Sequence, residues 1–317
     1  MNSKTVAVIG ELNVDIILDH LIGLPEVGKE KLAGSMELVL GSSAAIFASN
    51  LSKLGVKTHF IGKLGHDLYG DYIIEALTDR GINVERVVVD QVQKTGATIV
   101  LNYGQDRANI TFAGAMHDLT IKDIHFETLA NVDHIHISSI FMLPGIKKDL
   151  VAILKKLKDM GKTISLDPQW DPLEQWDLPL HEVLPLIDVF LPNKSEWMNL
   201  TQSPTFEIAL DALKSFTQNK IVIKNGEQGA YLWSGKVLTL EDSYQNTYFI
   251  DAIGAGDSFD AGFIKTFVSG DSDQTCLNFA CITGAINTMC RGGTSAFDQF
   301  NSNMEKLLIM NQSRYEG

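Results

Sequence analysis

An aspartate preceded by two glycines has the residue types needed to move a proton next to a phosphate. Gly254, Ala255 and Gly256 stand directly before Asp257, and the pattern of Asp257–Phe267 predicts a helix that begins there. Backbone N–H groups at a helix N-terminus bind anions, and glycines let a phosphate approach closely. A carboxylate there would repel the phosphate, but it could accept the proton of a hydroxyl that attacks the phosphate. The alternative is a tight turn in which Asp257 caps its helix.

A polar pair directly after the apolar run Val189–Leu191 could bind a metal ion. Asn193 and Glu196 supply oxygen atoms that could hold hydrated Mg²⁺, with water between Glu196 and the ion. Such an ion would neutralise the charge of a triphosphate in an acidic protein. The same spacing is typical of a capping box, in which the two residues satisfy each other's backbone amides. From the residues alone, both interpretations stay open.

Polar residues near the N-terminus have the chemistry to bind a sugar. Asn13 and Asp15 follow the first apolar run, Val6–Ile9, and their side chains share one face if the chain is extended there. An amide and a carboxylate at the mouth of a crevice suit paired sugar hydroxyls. Further along, Gly41 and Ser42 precede a helical stretch rich in small residues, which predicts close approach of a ligand to the backbone.

The elements that must position these residues alternate along the chain. Short β-branched runs and helical patterns follow one another, which predicts an α/β fold with a doubly wound, mostly parallel sheet and helices on both faces. In such a sheet, ligands bind outside the carboxyl ends of the strands. A strand-like run at Tyr248–Ile250 is predicted to lead into the turn at Gly254.

Two segments without helical periodicity, residues 12–40 and 94–111, interrupt this alternation. They predict strands joined by turns that form a small β-lid over the crevice, with an irregular surface excursion as the alternative. No repeat or flexible linker divides residues 1–317, so we expect one domain that carries a lid. Strands at the lid edges could pair between subunits, which would give a homodimer through the lid.

Composition and charge exclude several classes of protein. The chain of 317 residues has 39 acidic and 26 basic side chains, and its net charge of −13 disfavours nucleic acids and anionic membranes as partners. No apolar run reaches the roughly 18 residues of a membrane span, and no signal peptide is recognised. Three cysteines in one helical stretch, Cys276, Cys281 and Cys290, do not make a disulfide framework. We therefore expect a cytoplasmic protein.

Two histidines form a weaker candidate site. His134 and His136 share one face of a predicted strand and could bind a metal ion, but no third ligand stands at a suitable spacing. Histidines that are satisfied by hydrogen bonds in the core or at a sheet edge are the favoured interpretation.

The motifs, in this order and spacing, resemble those of the ribokinase-like (PfkB) carbohydrate kinases over nearly the full chain. The N-terminal signature of that family is similar to Gly41–Gly55 followed by Ile61–Gly70, its C-terminal signature to Asp251–Phe263, and its Asn-x-x-Glu motif to Asn193–Glu196. The resemblance implies a ribokinase-like fold and an ATP-dependent carbohydrate kinase. Such an enzyme, with Mg²⁺ as cofactor, would transfer the γ-phosphoryl group of ATP to a primary hydroxyl of a small-molecule sugar.

The resemblance also implies roles for individual residues. Asp257 would be the catalytic base, and the N–H groups of Gly254, Ala255 and Gly256 would form the anion hole. The remaining sites would be made by Asn13, Asp15, Gly41 and Ser42 for the sugar, by Asn193 and Glu196 for Mg²⁺ and the nucleotide phosphates, by Lys224, Gly226 and Gly229 for the nucleotide, and by Asp251, Ile253 and carbonyls near Asn287 for a monovalent cation such as K⁺.

The sequence departs from the family pattern where the acceptor would bind. Ile46 replaces the asparagine that many members place on the sugar, and Ser42 replaces the second glycine. No glutamate near Ser138 and Ser139 matches the one that contacts ribose in ribokinases. Leu166–Pro172 resembles the Asp-Pro-Asn-x-Arg stretch of fructokinase and ketodeoxygluconate kinase relatives but lacks its arginine. These departures weaken the case for ribose itself.

The choice of acceptor and of function class stays open in three respects. Arg107, at the expected tip of a lid hairpin, is a candidate for binding an acidic or phosphorylated sugar, or else a solvated turn residue. The small residues Ser42, Ser43 and Ala44, with Ile46, could admit a base beside ribose, which would make the protein a nucleoside kinase. The same scaffold could also act as a non-catalytic sugar-binding sensor, since a fold alone does not prove activity.

Overall fold

The computed structural model describes residues 4–103, 107–216 and 219–314. Its strands, numbered in chain order, are β1 (Thr5–Ile9), β2 (Asn13–Asp19), β3 (Ser35–Leu40), β4 (Lys57–Gly65), β5 (Asn83–Asp90), β6 (Gly96–Asn102), β7 (Arg107–Phe112), β8 (His134–Ser138), β9 (Thr163–Asp167), β10 (Val189–Phe190), β11 (Lys220–Lys224), β12 (Ala230–Trp233) and β13 (Leu238–Glu241). The main sheet has the order β13-β12-β11-β10-β9-β8-β1-β4-β5. The strands from β11 to β5 in this order are parallel, and β12 and β13 are antiparallel.

Helices cover both faces of the main sheet, so the predicted doubly wound α/β fold is confirmed. The helices are α1 (Ser43–Lys53), α2 (Leu68–Asp79), α3 (Pro144–Asp159), α4 (Leu180–Val183), α5 (Lys194–Leu200), α6 (Phe206–Ala212), α7 (Ala255–Ser269), α8 (Asp273–Asn287) and α9 (Phe300–Met310). Alternate residues of β1 enter opposite cores: Val6 and Val8 pack with α1, α2, α7, α8 and α9, whereas Ala7 and Ile9 pack with α3 to α6. Over the described ranges, no helix is long and apolar enough to span a membrane.

A separate four-stranded sheet is formed by the two segments that were predicted to make a lid. Its order is β3-β2-β6-β7, in which β2 and β6 are parallel and the outer strands pair antiparallel. The predicted segments, residues 12–40 and 94–111, contain β2, β3, β6 and all of β7 except Phe112, and residues 20–34 between β2 and β3 have no regular secondary structure. Arg107 begins β7 opposite Asn102, but its side chain lies outside the described part of the structure.

One predicted strand is wrong. Tyr248–Ile250 forms no strand, and all three side chains are exposed. A run of apolar residues usually indicates a buried strand, but these residues lie outside the sheet. The Ile250 amide donates to the carbonyl of Thr288 and not to a neighbouring strand. Phe249 lines the cavity described below, so this apolar run contributes to the wall of that cavity and not to the sheet.

The order of the strands places a crevice at one position of the sheet. From β1 the chain moves outward to β4 and β5, and it then returns to β8 on the other side of β1. The carboxyl ends of β1 and β8 therefore flank the point where the strand order reverses, which is where ligands bind in open α/β sheets. The polar segments that follow β1, β8, β9, β10 and β11 all meet at this edge.

His134 and His136 are core residues joined by one hydroxyl, as the favoured interpretation of the sequence predicts. Ser165 Oγ lies 2.8 Å from Nε2 of His134 and 2.8 Å from Nδ1 of His136, and Thr163 Oγ1 lies 2.8 Å from Nδ1 of His134. Burial lowers the pKa of His134 to about 3, and it also lowers the pKa of His136. Both rings therefore stay neutral and tie β8 to β9.

Replacing Ser165 with alanine should destabilise the fold. The Ser165→Ala change leaves two buried ring nitrogens without their shared partner, which we expect to lower the free energy of unfolding by about 1–3 kcal/mol in urea titrations at neutral pH. Ser215→Ala, at an exposed serine, is the matched control and should change stability by less than about 0.5 kcal/mol. Equal stability of the two variants would contradict this account of the histidine pair.

Candidate active site

A cavity of about 1440 Å³ lies between the carboxyl edge of the main sheet and the four-stranded sheet. The predicted site residues that line it are Asn13, Asp15, Ser42, Asn193, Glu196, Lys224, Gly226, Gly229, Ile253, Gly254, Ala255, Gly256 and Asp257. Gly41, Asp251 and Asn287 do not line the cavity, but each lies against a residue that does. The structure thus brings together nearly all of the predicted residues, from segments far apart in the sequence.

The first turn of α7 has a conformation that requires glycine. Gly254 has a φ of 73°, and a Cβ there would lie 2.6 Å from the Cα of Gly293. The Ala255 amide donates to the carbonyl of Ala252 at 3.3 Å, and a Cβ on Gly256 would lie 3.8 Å from the Lys224 ammonium. This turn presents the positive end of a helix of 15 residues to the cavity, which favours an anion at this position.

Asp257 lies inside this first turn and does not cap the helix, because the N-cap is Gly254. Its side chain is buried, and burial raises the pKa of Asp257 to about 8, with the negative charge of Asp167 as the next contribution. The hydroxyl of Ser43 acts in the opposite direction. A carboxyl group with this pKa can both hold and release a proton near neutral pH, which is the property of a general base.

The side-chain amide of Gln169 fixes the orientation of Asp257. Its Nε2 donates to Oδ1 of Asp257 at 2.9 Å and to Oδ2 of Asp167 at 2.6 Å, so both of its hydrogens are used. Gln169 itself has a φ of 58°, in the left-handed region. The sequence reasoning gave this residue no role. The available signal was an amide two residues after an aspartate that ends a buried strand.

One ammonium group joins β9, β11 and α7 next to this turn. Lys224 Nζ donates to Oδ2 of Asp167 at 3.0 Å and to Oδ2 of Asp260 at 2.9 Å. Burial alone would lower the pKa of Lys224, but the carboxylates of Asp167, Asp260 and Glu196 raise it well above its usual value. Lys224, predicted to line the nucleotide pocket, does line the cavity, but its charge is shared between two carboxylates that the sequence did not single out.

Asn193 and Glu196 form a capping box and also line the cavity, so their two interpretations are compatible. Oε2 of Glu196 accepts from the Asn193 amide at 2.8 Å, and Oδ1 of Asn193 accepts from the Glu196 amide at 2.9 Å. Burial raises the pKa of Glu196 to about 7, and the charge of Asp167 adds to this. No three His, Cys, Asp or Glu side chains of the described chain are grouped to hold a metal ion. A metal here would therefore take most ligands from water and phosphate oxygens, as Mg²⁺ commonly does.

The other end of the cavity carries neutral polar groups and carboxylates. Asn13 Nδ2 donates to Oδ1 of Asp15 at 3.0 Å and to Oγ1 of Thr98 at 2.9 Å, so the two residues predicted to share a face do so. A Cβ on Gly41 would overlap Oδ1 of Asp15, which explains why glycine is needed there. The geometry suits a ligand that offers several hydroxyl groups.

Ser42 takes a backbone conformation that glycine adopts more readily. Its φ is 70°, and its Oγ accepts from the Ala45 amide at 3.0 Å while donating to the carbonyl of Glu11 at 2.6 Å. These two hydrogen bonds hold the start of α1 against the segment that follows β1. Glu11 itself lines the cavity, although the sequence reasoning considered only Asn13 and Asp15 in this segment.

The residues predicted to bind a monovalent cation brace the loop before α7. Asp251 accepts from the amides of Ile253 at 2.8 Å and Gly292 at 3.0 Å, and Asn287 Nδ2 donates to the carbonyl of Ile253 at 2.6 Å. Oδ1 of Asn287 is buried and has no hydrogen-bond partner within the described ranges. A buried carbonyl-type oxygen without a donor is compatible with a cation at this loop.

The arrangement as a whole joins two kinds of chemistry. A carboxyl group with a pKa of about 8 lies in the first turn of a helix whose N-terminus attracts anions. A polar pocket for hydroxyl groups adjoins it on one side, and Glu196 with the Lys224 segment adjoins it on the other. Such a site can bring a hydroxyl, a base and a phosphate into contact.

Comparisons with known proteins agree with this geometry. Residues 3–299 match the profile described as "pfkB family carbohydrate kinase". The chain is 27% identical over 302 residues to a ribokinase of Arabidopsis thaliana, which covers 92% of this chain and 78% of that protein. It is 28% identical over 292 residues to an ATP-dependent ribose-1-phosphate kinase of Halopiger xanaduensis, which covers 90% and 93% respectively. A protein from E. coli described as ribokinase II, solved with ATP and Mg²⁺, has a TM-score of 0.82 at 25% identity, covering 96% of this chain and 99% of that one.

The profile match spans nearly the whole chain, and the ribokinase fold of the structural neighbour confirms the predicted architecture of a large, mostly parallel sheet with a small lid-like sheet. Sequence motifs, fold and site geometry lead to one conclusion: this chain belongs to the pfkB family of carbohydrate kinases.

Proposed function

We propose that this protein transfers the γ-phosphoryl group of ATP to a primary hydroxyl of a small sugar. The observation that carries the proposal is the position of Asp257, a buried carboxyl group in the first turn of α7, between a polar pocket and the positive end of that helix. With ATP as the donor, we place the reaction in the cytoplasm. The whole chain would act as one kinase unit in which the four-stranded sheet is the lid.

Asp257 would act as the general base. Its Oδ1 accepts from the Gln169 amide, which orients the carboxyl group to accept the proton of the acceptor hydroxyl as that hydroxyl attacks phosphorus. The amides of Gly254, Ala255 and Gly256 would stabilise the negative charge of the transferred group, with the Ala255 amide sharing its hydrogen between that group and the Ala252 carbonyl. The lid would exclude water, which otherwise competes with the acceptor for the phosphoryl group.

The nucleotide would lie along the other half of the cavity. Lys224, Gly226 and Gly229 line this half, and Glu196 with Asn193 would hold Mg²⁺ through water next to the phosphates. Mg²⁺, when bound, neutralises charge on the phosphates. A monovalent cation such as K⁺ would be held near Asp251, Ile253 and Asn287, where it would support the loop that carries the anion hole.

A nucleoside is the second candidate acceptor, and one feature of the cavity favours it. The wall near the sugar end includes Ile46, Met116, Met142 and Trp170, which together offer more apolar surface than the hydroxyl face of a sugar needs. Trp170 is 46% exposed, so its ring is available to contact a planar group. A base attached to ribose could occupy this wall while the primary hydroxyl reaches Asp257.

The first test measures ADP release with ATP, Mg²⁺ and a mixed panel of sugars and nucleosides, for the wild-type protein and for the Asp257→Asn variant. We expect turnover with at least one acceptor, and a fall in kcat of roughly 10²- to 10⁴-fold in Asp257→Asn, because the variant cannot accept a proton. The fold and the affinity for ATP should be preserved. Asp79→Asn, at an exposed aspartate of α2, is the matched control and should keep full activity.

Each result of this panel has a clear meaning. Near-normal turnover in Asp257→Asn would remove the proposed mechanism. Turnover with sugars alone or nucleosides alone selects between the two acceptors. No turnover with either group, together with an increase in melting temperature when a sugar is added, would replace the kinase by a non-catalytic sugar sensor.

The pH dependence of the reaction should reflect the raised pKa of Asp257. Below about pH 8 the carboxyl group without ligands carries its proton and cannot accept another. We therefore expect kcat/KM for the acceptor to rise with pH, to reach half of its maximum at about pH 8 and to level off above about pH 9. Melting temperatures measured over the same pH range control for unfolding, and a flat profile would contradict the assignment of the base.

A homodimer through the lid is supported by the outward side of the four-stranded sheet. By register, Ile16, Leu38, Ile99 and Ile110 lie in one row across this side, with Met36 and Phe112 beside them. We call this surface the outer lid face. Met36 is 71% exposed and Ile110 is 64% exposed. Within the described chain, β3 and β7 are the edge strands of this sheet. An apolar surface on the outer side of such a sheet favours a second copy of the chain as its partner.

Changing the outer lid face should alter the oligomeric state. We expect the wild-type chain to sediment as a dimer and Ile110→Glu to sediment as a monomer, because a carboxylate cannot be buried there without a partner. Ile309→Glu is the matched control, since Ile309 on α9 is similarly exposed but lies away from the lid. A monomeric wild-type protein, or a dimer that survives Ile110→Glu, would reject the lid interface.

A further inference from the structure

We propose that the ion pair between Arg291 and Asp19 holds the far end of the four-stranded sheet against the main body, the main sheet with its helices, and that Arg291 is thereby a positioning residue for the acceptor. The inference rests on the proposed kinase function, but it applies equally to sugars and to nucleosides as acceptors. It is carried by a buried carboxylate at the end of β2, by the face of β2 on which it lies, and by the loop that contains Arg291.

One face of β2 is turned inward along the whole strand. Because alternate residues of a strand point to the same side, this face carries Asn13, Asp15, Ile17 and Asp19. Asn13 and Asp15 line the cavity, and Ile17 and Asp19 are buried. Asp19 lies four residues beyond Asp15, which is about 13 Å in an extended strand. Asp19 therefore stands at the end of β2 that is far from β1, on the side opposite the outer lid face.

The near end of the four-stranded sheet is fixed by its connections to the main body. Residues 10–12 alone separate β1 from β2. Just before β6, the Thr95 amide donates to Oδ2 of Asp67 at 2.9 Å, and the Gly65 amide donates to Oγ1 of Thr95 at 2.9 Å. At the other end, β2 continues into residues 20–34, which return to the same sheet at β3. The connections of β2 therefore do not fix the far end to the main body.

Asp19 lies between two donors that come from different parts of the molecule. Its Oδ1 accepts from Nδ2 of Asn102, at the end of β6, at 2.7 Å. Its Oδ2 lies 2.9 Å from Nη1 of Arg291, in the loop after α8. The Asp19 side chain is 6% exposed, although it stands at the end of its strand. A carboxylate buried to this extent depends on its partners, and Arg291 provides the positive charge.

The loop that contains Arg291 also packs against the proposed anion hole. The Gly292 amide donates to Oδ2 of Asp251 at 3.0 Å, in the segment that leads into α7. The next residue, Gly293, lies so close to Gly254 that a Cβ on Gly254 would be 2.6 Å from the Cα of Gly293. Through Arg291, the far end of the sheet is thus joined to the loop that supports the first turn of α7.

The ion pair therefore helps to set the distance between the two sides of the proposed acceptor pocket. Asn13 and Asp15 lie on the four-stranded sheet, and Asp257 lies on the main body. The connection from β1 fixes one end of β2, and Arg291 fixes the other. Without the ion pair, we expect the sheet to take a wider range of positions. Fewer molecules would then hold the acceptor within reach of Asp257, and water would enter more easily.

The first test measures hydrogen–deuterium exchange of the free protein and needs no ligand. In Arg291→Gln, the amides of β2 and β3 should exchange at least about threefold faster than in the wild type, because the sheet has lost its support at the far end. The amides of β8, in the middle of the main sheet, should exchange as in the wild type.

Arg86→Gln is the matched control for this variant. Arg86 lies on β5 and donates twice to Thr128, at 2.9 Å each, so it links two parts of the main body. It does not line the cavity. We expect Arg86→Gln to leave the exchange of β2 and β3 as in the wild type.

The second test measures ADP release with whichever acceptor is turned over, and phosphate release without an acceptor. Arg291→Gln should raise KM for the acceptor by about tenfold and increase the share of ATP that is hydrolysed by water. KM for ATP should stay unchanged, because the proposed nucleotide residues Lys224, Gly226 and Gly229 belong to the main body. A general loss of stability would not separate the two KM values, so this separation measures positioning.

Two further variants identify the ion pair as the cause. A lysine ammonium can also bind Oδ2 of Asp19, so Arg291→Lys should recover most of the affinity for the acceptor. Asp19→Asn should act in the same direction as Arg291→Gln. Combined in one chain, the two changes should raise KM for the acceptor no more than the stronger one alone, because both remove the same interaction.

The outcomes separate this inference from the proposed function. Unchanged exchange of β2 and β3 in Arg291→Gln overturns the proposal that the ion pair holds the sheet. An unchanged KM for the acceptor, an equal rise of both KM values, or additive effects of the two changes reject the positioning role. No ADP release with any acceptor rejects the kinase function and the positioning role with it, whereas the exchange measurement decides independently whether the ion pair holds the sheet.

Discussion

The carboxyl edge of the sheet depends on one ammonium group among buried carboxylates. Lys224 binds Asp167 and Asp260 directly, and the charge of Asp167 raises the pKa of both Asp257 and Glu196. Four carboxyl groups and one ammonium cannot all be ionised in a buried site without a large cost in desolvation and repulsion. Bound protons offset this imbalance in the absence of ligands. A divalent cation held beside these carboxyl groups would offset the same imbalance.

The same ammonium explains how the first turn of α7, the proposed anion hole, is held in place. Asp167 ends β9, Lys224 ends β11 and Asp260 lies on α7, so the ion pairs fix the N-terminus of α7 to two parallel strands. Gln169 extends the network to Asp257 and fixes the orientation of its carboxyl group. A chain with a net charge of −13 can thus offer an anion a local site, because the helix N-terminus and not the overall charge faces the cavity.

Local pattern was enough to predict the sheet, the two lid segments and most residues of the candidate site, because strand–helix alternation brings the carboxyl ends of parallel strands to one edge. What could not be predicted depends on tertiary contacts. The charge of Lys224 is taken by Asp260, thirty-six positions away in the chain. Oε2 of Glu11 is buried without a hydrogen-bond partner among the residues that the structure describes, and no spacing in the sequence reveals that. The strand predicted at Tyr248–Ile250 was wrong because an apolar run usually indicates a buried strand. Here the run is exposed, and Phe249 lines the cavity.

The two signature segments, although two hundred residues apart, behave as one packed unit. Asn50 of α1 donates to Oγ of Ser258 on α7 at 2.8 Å and to the carbonyl of Gly293 at 2.9 Å. Ile46 lies against the same loop, since a Cβ on Gly254 would be 3.0 Å from its Cγ2. The distance between the proposed acceptor end of the cavity and the first turn of α7 is therefore set by the contact of α1 with α7. Since Ile46 lines the cavity as well, a side chain at this position cannot change the acceptor pocket without also moving the turn that carries Asp257. The proposed acceptor pocket and the proposed anion hole are thus coupled through the packing of α1 against α7.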